Sequence, residues 1–425
     1  MGATLVLTLL PAMTAATDSP SPLTTAAVST AYAVGFGGFL VLGARLADTW
    51  GHVRALVGAV LLFAASGGLL VVTSSAGVMA AARAAQGVAA AVMVPAALAL
   101  ITETVPEGPA RRRAMAAWGA TSAIGGASGF LVGSAAAAAG WWRAAFLLQA
   151  ALALGLAALA AALLRTPRDT RRPSPLEQRG SLDIAGGLLI TITLGLVVAG
   201  TSLLTTQLAL ATGLLLGAAA AGLAAVGVER RATTPVLELR TLTAPEVRAG
   251  SGVAFVNTAT TSSSATLLAL ALQSTGGAGA AATGLTMLPF SVAVVGGSGV
   301  APWLMTRLGD RRASAVGLIA IGVGTGLLPL AAGGLWVIAA GMAVSGAGIG
   351  VSAAASTHLG TSGPGDDSAA AAALLNTSAQ LGTALGVAAS LAAAQLVGTA
   401  GGWWCLTMLA LVAAAQTGRT RRPGA

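Results

Sequence analysis

The sequence has very little charge. Charged residues make up only 8% of its 425 residues, whereas a soluble domain carries about 25%. So few charges cannot cover a water-facing surface, and most side chains must therefore contact lipid or one another. Because lipid offers no hydrogen-bond partners to an open backbone, the chain is predicted to be an all-α polytopic membrane protein with spans of about 20 residues.

Residue types that usually carry chemistry are also scarce. A single cysteine, Cys405, excludes an intrachain disulfide. The two histidines, His52 and His358, are predicted to lie in loops between apolar segments, and the glycine-rich runs are not followed by lysine. A metal cluster, a Ser–His pair within the bilayer and a phosphate-binding loop are therefore not expected. These absences predict a protein that is not an enzyme, binds no metal or cofactor and is not driven by ATP.

What the sequence does have is a series of long hydrophobic runs, since 56% of its residues are hydrophobic. Fourteen apolar segments are separated by stretches rich in Pro, Gly, Ser and Arg. They cover residues 3–16, 24–43, 55–73, 76–101, 114–138, 143–164, 183–203, 207–228, 250–272, 283–305, 313–332, 335–357, 369–397 and 403–417. The first segment is short, because its length gives about 21 Å of helix against a hydrocarbon core of about 30 Å.

All 22 basic residues are arginines, and they are distributed unevenly between the two ends of these segments. When the C-terminal tail and every loop between an even and an odd segment are placed on one side, that side holds 20 of the 22. The positive-inside rule makes this side, with the C-terminus, cytoplasmic in a cell membrane. Because the arginines are spread over short loops, the net charge of +9 does not indicate a nucleic-acid partner.

The spacing of the segments indicates an internal repeat of two similar halves. Six helices precede and six follow a central pair, and similar polar segments, 43–54 and 301–312, follow the second helix of each half. This pattern predicts two bundles related by an axis along the membrane normal. The predicted parts are an N-terminal six-helix bundle (1–164), a linker (165–182), two extra helices (183–228), a loop (229–249), a C-terminal six-helix bundle (250–417) and a tail (418–425).

The polar segment 43–54 resembles the loop between helices 2 and 3 of the major facilitator superfamily. Four residues match its pattern G-x-L-a-D-r-x-G-r-r, namely Gly43, Asp48, Gly51 and Arg54. His52 stands at a position that is usually basic. The resemblance implies a cytoplasmic gating latch of charge and helix-dipole contacts that favours the outward-open state. Asp310 and Arg311 would be its weaker counterpart in the second half.

Further motifs extend this resemblance over essentially the whole chain. Residues 83–87 resemble the fourth-helix motif R-x-x-q-G. Residues 118–133 resemble the antiporter motif of helix 5, although Phe130 stands where that motif has proline. Residues 142–146 resemble the W-R-w-i-F opening of helix 6, and residues 376–386 resemble helix 13. Together with the fourteen helices, these motifs imply the drug:proton antiporter branch of the family.

Arg83 is a charged residue inside a predicted membrane segment. An ionised side chain at that depth needs a wet cavity or a partner, unless it snorkels outward. If it does not snorkel, it faces the central cavity with Gln86 nearby. The resemblance implies that these two residues belong to a transport and proton-relay region in helix 4.

Small residues recur along two predicted helices. Gly125, Gly129 and Gly133 are spaced every four residues on helix 5, and Gly382 and Gly386 have the same spacing on helix 13. Such spacing places them on one helix face, where another backbone can approach closely. Close packing is the simplest interpretation. The resemblance further implies that the face of small residues on helix 5 permits the two halves of the chain to rock against each other.

A carboxylate buried in the membrane, the usual carrier of a coupling proton, is missing from the sequence. All 13 acidic residues lie outside the apolar segments' cores. In related antiporters helix 1 carries an aspartate in a pattern like L-D-x-T-i-V-N-V-a-L-P. The corresponding aspartate and asparagine positions here hold Gly2 and Leu7. The proton is thus the coupling ion that the resemblance implies, but its usual carrier is absent.

These features predict a monomeric secondary active transporter that exports small lipophilic drugs or antibiotic-like metabolites by alternating access, driven by protons. Two alternatives stay open: a non-transporting homologue, favoured by the short helix 1 and missing acid, and an uptake carrier of the same fold. Its expected partners are the lipid bilayer and a small-molecule substrate. Uncommon polar side chains are candidates to line a central cavity between helices 1–6 and 9–14, namely Tyr32, Arg83, Gln86, Asn257, Gln273, Asn376 and Gln380.

Overall fold

A computed structural model shows that the described residues form helices and the turns between them. It describes residues 2–20, 22–106, 109–163, 184–204, 207–231, 243–275, 286–361 and 368–418. The first eight helices are α1 (Gly2–Ala15), α2 (Pro22–Trp50), α3 (His52–Val72), α4 (Ala76–Thr104), α5 (Pro109–Ala138), α6 (Trp142–Leu163), α7 (Ile184–Leu203) and α8 (Leu208–Glu229). The others are α9 (Pro245–Thr275), α10 (Leu288–Leu308), α11 (Asp310–Leu327), α12 (Leu335–Thr361) and α13 (Ser368–Gly418), with a 3₁₀ turn (Leu328–Gly333) after α11.

Each of the fourteen predicted segments contains a helix, so the predicted all-α fold is confirmed. The last two segments form the single element α13, which is broken at Gly398, where φ is 78°. Eight described helices are long and apolar enough to cross a bilayer, and the bent pair Ala27–Leu40 and Leu42–Trp50 within α2 would give a ninth. The predicted linker 165–182 and residues 232–242 of the predicted loop lie outside the described residues.

The polar segment 43–54 is not the loop that we predicted. Helix α2 continues to Trp50 and α3 begins at His52, so the chain turns at Gly51 alone, where φ is 85°. The second half turns in the same way at Gly309, where φ is 79°. Residues other than glycine rarely adopt such a backbone angle, because their Cβ atom would clash with the backbone. The polar residues here lie in the last turns of α2 and the first turn of α3 rather than in a loop, and His358 likewise lies in the last turn of α12.

Equivalent helix pairs pack together in the two halves. In the first half, α2 packs on α4, α3 on α4 and α6, and α1 on α5. In the second half, α10 packs on α12, α11 on α12 and α13, and α9 on α13. Helix α13 supplies both the fifth and the sixth position, since it is broken at Gly398. This pattern agrees with the internal repeat expected from the sequence.

Glycines bring the second and fourth helices of each half into backbone contact. A Cβ atom on one of these glycines would overlap backbone atoms of the facing helix. The first half uses Gly35 and Gly43 of α2 and Gly87 of α4, and the second uses Gly297 of α10 and Gly346 and Gly350 of α12. Gly43, predicted as part of a gate, is therefore a packing residue against Ala91 in this structure.

The two halves meet along α2 with α13 and along α5 with α10. The extra helix α7 packs on both α2 and α13, and α8 packs on α7. Thr191 of α7 donates a hydrogen bond to the Gly38 carbonyl oxygen of α2, at 2.7 Å. The extra pair therefore covers one of the two seams between the halves and is attached to the first half by this hydrogen bond.

The glycine crossings predict a contrast between two neighbouring residues of α10. Gly297→Ala would push a methyl group into the Ala347 backbone of α12, whereas Gly296→Ala meets no described atom within 4 Å. Overpacking a tight core costs about 1–3 kcal/mol. We expect Gly297→Ala to lower the thermal unfolding temperature in detergent and Gly296→Ala to leave it unchanged. Equal unfolding temperatures for the two variants would contradict the crossing.

Candidate transport site and latch

A buried polar network lies inside the first bundle and is centred on Arg83 of α4. The Arg83 side chain is 1% exposed, and its Nη1 donates a hydrogen bond to Gln86 Oε1 at 2.7 Å. Its guanidinium also lies 4.8 Å from the centre of the Tyr32 ring on α2. Gln86 Nε2 in turn donates to Gln149 Oε1 of α6 at 3.2 Å. The guanidinium is therefore buried between α2 and α4 and is connected to α6 through Gln86, so it does not snorkel to the surface.

Gln149 belongs to this network, but we did not identify it from the sequence. It is 4% exposed and is surrounded by apolar residues in a helix that otherwise reads as a lipid-facing span. A single glutamine in such an apolar helix could have been recognised from the sequence as a residue that needs a buried hydrogen-bond partner. Gln86 lies between Arg83 and Gln149 and so connects α4 to α6.

The second bundle has its own buried polar cluster along α9. Asn257 is 2% exposed, and its Oδ1 accepts a hydrogen bond from Ser352 Oγ of α12 at 2.7 Å. One turn later Thr261 donates to the Asn257 carbonyl oxygen, and further along Ser264 donates to Thr325 of α11 at 3.3 Å. Asn257, predicted to line a cavity, therefore faces the interior of its own bundle in this structure.

The predicted small-residue faces make close contacts. Gly133 of α5 packs against Thr8 of α1, and Gly382 and Gly386 of α13 pack against Phe255 and Ala259 of α9. Gly129 is buried and Gly125 is half-buried on the same helix as Gly133. These faces bring the first and fifth helices of each bundle together. Whether they also permit rocking stays a prediction.

We use the term latch end for the end of the molecule that carries the turns at Gly51 and Gly309. Near this end an apolar group, which we call the inter-half cluster, joins the two halves. It consists of Leu40 and Ala91 from the first half and Val247, Ala371, Leu374 and Leu375 from the second. Leu375 also packs against Gly360 at the end of α12. The halves are therefore in contact near the latch end through apolar side chains.

The predicted latch residues occupy helix ends. Asp48 lies in the last turn of α2, and its carboxylate contacts His52, the first residue of α3, at 3.0 Å. Asp310 is the first residue of α11 and contacts His358 of α12 at 2.9 Å. Arg54 is exposed and Arg311 is half-buried.

The remaining candidates are less informative. The Gln380 side chain on α13 lies next to Gly37 of α2, where the two halves meet. Asn376 is half-buried one turn earlier on the same helix. The side chains at Gln273, Gly2 and Leu7 lie outside the part of the chain that is described in atomic detail.

The buried network predicts strong coupling between Gln86 and Gln149. Replacing either by leucine leaves the other amide buried without that partner, which costs about 1–3 kcal/mol. The double variant removes both amides, so its loss of stability should be smaller than the sum of the single losses. Thermal unfolding of the four proteins in detergent measures this coupling, and Leu147→Ala, at an exposed position of α6, is the control. Additive losses would contradict the hydrogen bond.

Comparison with known proteins shows the family. The family model of the Major Facilitator Superfamily matches residues 1–229. The chain is 33% identical over 384 residues to the cephamycin export protein CmcT of Amycolatopsis lactamdurans, covering 85% of this chain and 75% of that protein. It is 29% identical over 302 residues to the lincomycin resistance protein of Streptomyces lincolnensis, covering 69% of this chain and 60% of that protein.

A solved structure gives the same result for the fold. The human organic anion transporter MFSD10 (TETRAN) superimposes with a TM-score of 0.69 at 15% identity, covering 98% of this chain and 95% of that one. At this identity the likeness concerns the fold alone. The family expected from the motifs is confirmed, and this chain belongs to the Major Facilitator Superfamily, as a membrane transporter homologue rather than an enzyme.

Proposed function

We propose that this chain exports small, antibiotic-like lipophilic molecules by alternating access. The observation that carries the proposal is the match over 85% of the chain to a protein named as a cephamycin exporter. A second relative is named for resistance to lincomycin. Export of the antibiotic is a direct way for a membrane transporter to confer resistance.

The packing supports alternating access because contacts within the halves differ from contacts between them. Within each half, helices cross at glycines and share buried hydrogen bonds, so a bundle can move as one body. Near the latch end the halves meet through the apolar inter-half cluster. Separating apolar side chains leaves no buried charge without a partner, so this contact can open and close at modest cost.

The substrate site of the proposal lies between the halves, beside α2 and α13. Tyr32 and Gln380 lie on these two helices, and Arg83 reaches the Tyr32 ring from α4. An apolar cavity with a few polar groups recognises its ligand mainly by burial, which suits lipophilic molecules.

The direction and energy source are part of the proposal. The uneven distribution of arginines supports a cytoplasmic latch end and C-terminus in the cell membrane. The proposed transport unit is the monomer. A proton is the proposed coupling ion.

An accumulation assay tests the proposal. The protein is expressed in a bacterial strain without its major efflux pumps, and intracellular levels of cephamycin, lincomycin and several lipophilic dyes are measured. We expect at least one compound to accumulate less than in the empty-vector control, and an uncoupler of the proton gradient to abolish the difference. Arg83→Ala should raise accumulation again if its network serves transport, whereas Leu147→Ala should not. Unchanged levels across the whole panel would contradict export and favour a non-transporting homologue.

Alternating access predicts that the inter-half cluster opens during transport. In a Cys405→Ser background, Leu375→Cys places a thiol in this cluster and Thr49→Cys places one at an exposed position near the latch end. We expect a transported compound to change the rate of maleimide labelling at position 375 by several-fold and to leave position 49 unaffected. A labelling rate at position 375 that never responds to substrate would argue against opening at this cluster.

A further inference from the structure

Both histidines of the chain lie at the latch end, and each contacts a carboxylate. His52 Nε2 lies 3.0 Å from Asp48 Oδ1 on α2, and His52 Nδ1 lies 2.7 Å from Glu103 Oε1 at the end of α4. His358 Nδ1, in the last turn of α12, lies 2.9 Å from Asp310 Oδ2 at the start of α11. In each half, one histidine–carboxylate contact therefore joins the third helix to the fourth.

The two contacts have opposite polarity. The equivalent turns at Gly51 and Gly309 are followed by His52 in the first half and by Asp310 in the second. Helix dipoles favour a carboxylate at a helix start and a cation in the last turn, which is the arrangement of Asp310 and His358. In the first half the cation stands at the start of α3 and the carboxylate of Glu103 stands at the end of α4. Both charges of the first half therefore lie at the helix end whose dipole disfavours them. They are stabilised by their contact with each other instead.

The geometry around His52 indicates how many protons its ring carries. Both ring nitrogens lie at hydrogen-bond distance from a carboxylate oxygen. An ionised carboxylate can only accept hydrogen bonds, so each ring nitrogen must carry a proton to satisfy its partner. A neutral ring has one N–H and would direct its remaining lone pair at a carboxylate oxygen. The contacts of His52 therefore fit the imidazolium form.

The charges around this ring favour the same form. The described charged groups in contact with it are Asp48 of α2 and Glu103 of α4. Two positive charges also lie on the adjacent helix ends, Arg45 on α2 and the exposed Arg54 on α3. They oppose protonation of the ring, but the groups in direct contact with it are the two carboxylates. The ring itself is only 17% exposed, so water does not fully screen the two carboxylates that it contacts.

We propose that His52 is a proton-binding site, at which one bound proton joins α2, α3 and α4 at the latch end. Release of this proton removes one N–H and with it one of the two carboxylate contacts. Histidine is the side chain whose ordinary titration lies near neutral pH, so this contact responds to the pH at the latch end. The proposal concerns the charge of one side chain and stands whether or not the chain exports antibiotics.

Nitrogen NMR of the full-length protein tests the charge directly. In ¹⁵N-histidine-labelled protein in lipid bilayers, His358→Gln leaves His52 as the single source of ring signals. We expect two N–H signals from a mostly protonated ring at pH 7.5. Asp48→Asn and Glu103→Gln should each move the titration midpoint down by about one pH unit, since each removes an opposite charge in contact with the ring. A neutral ring at pH 7.5, or a midpoint that neither variant moves, would overturn the proposal.

The dependence of thermal stability on pH gives a second readout in the same His358→Gln background. When the proton joins the helices, stability is highest at low pH and falls as the pH rises through the titration of His52. We expect this fall between about pH 6 and pH 8.5. His52→Arg keeps its charge throughout this range and should show no such fall, and His52→Gln should start lower at pH 6 and stay flat. A fall of the original size in His52→Arg would show that another group is responsible.

Discussion

Helices in lipid gain little hydrophobic free energy from association, so the structure depends on close van der Waals packing between helix backbones. Glycines allow this close packing, because they bring the backbones into contact where α2 crosses α4 and where α10 crosses α12. These contacts make each half a body whose parts hold their relative positions. The contact of the Arg83 guanidinium with the Tyr32 ring spans the first of these crossings, where Gly87 of α4 meets the Tyr32 backbone of α2.

The sequence predicted the helices well because most of the apolar runs are about as long as a bilayer is thick. It predicted the helix ends poorly, since the apolar segments 24–43 and 55–73 leave out residues 44–50 of α2 and 52–54 of α3, which carry polar residues but are helical. Gly43 was assigned to a gate by its motif, although it packs against Ala91. Gln149 was missed because no local pattern reveals which distant residue a lone amide will meet. Contacts such as Gln86 with Gln149 connect residues 63 apart in the chain.

The buried polar groups of the two bundles differ in their chemistry. The first holds a buried guanidinium and two buried amides beside the half-buried Tyr32 ring, whereas the second buries one amide and several hydroxyl groups. The guanidinium is a permanent charge, so it fixes a positive potential inside the first bundle, next to the Tyr32 ring of α2. Hydroxyl groups adapt as donors or acceptors and carry no charge. The interior of the first bundle is therefore electrostatically fixed, whereas the interior of the second can reorient its hydroxyl hydrogen bonds.

The latch residues act within each half. His52 connects α2, α3 and α4, and His358 connects α11 and α12, so neither described contact crosses from one half to the other. The contact between the halves near this end is instead apolar, through the inter-half cluster. The two systems share helices, however, because Leu40 of the cluster lies on α2 and Ala91 lies on α4. In the alternating access that we propose, a change in charge at His52 would therefore act on closure through the two helices that carry the first-half side of the cluster, without any charged group having to bridge the halves.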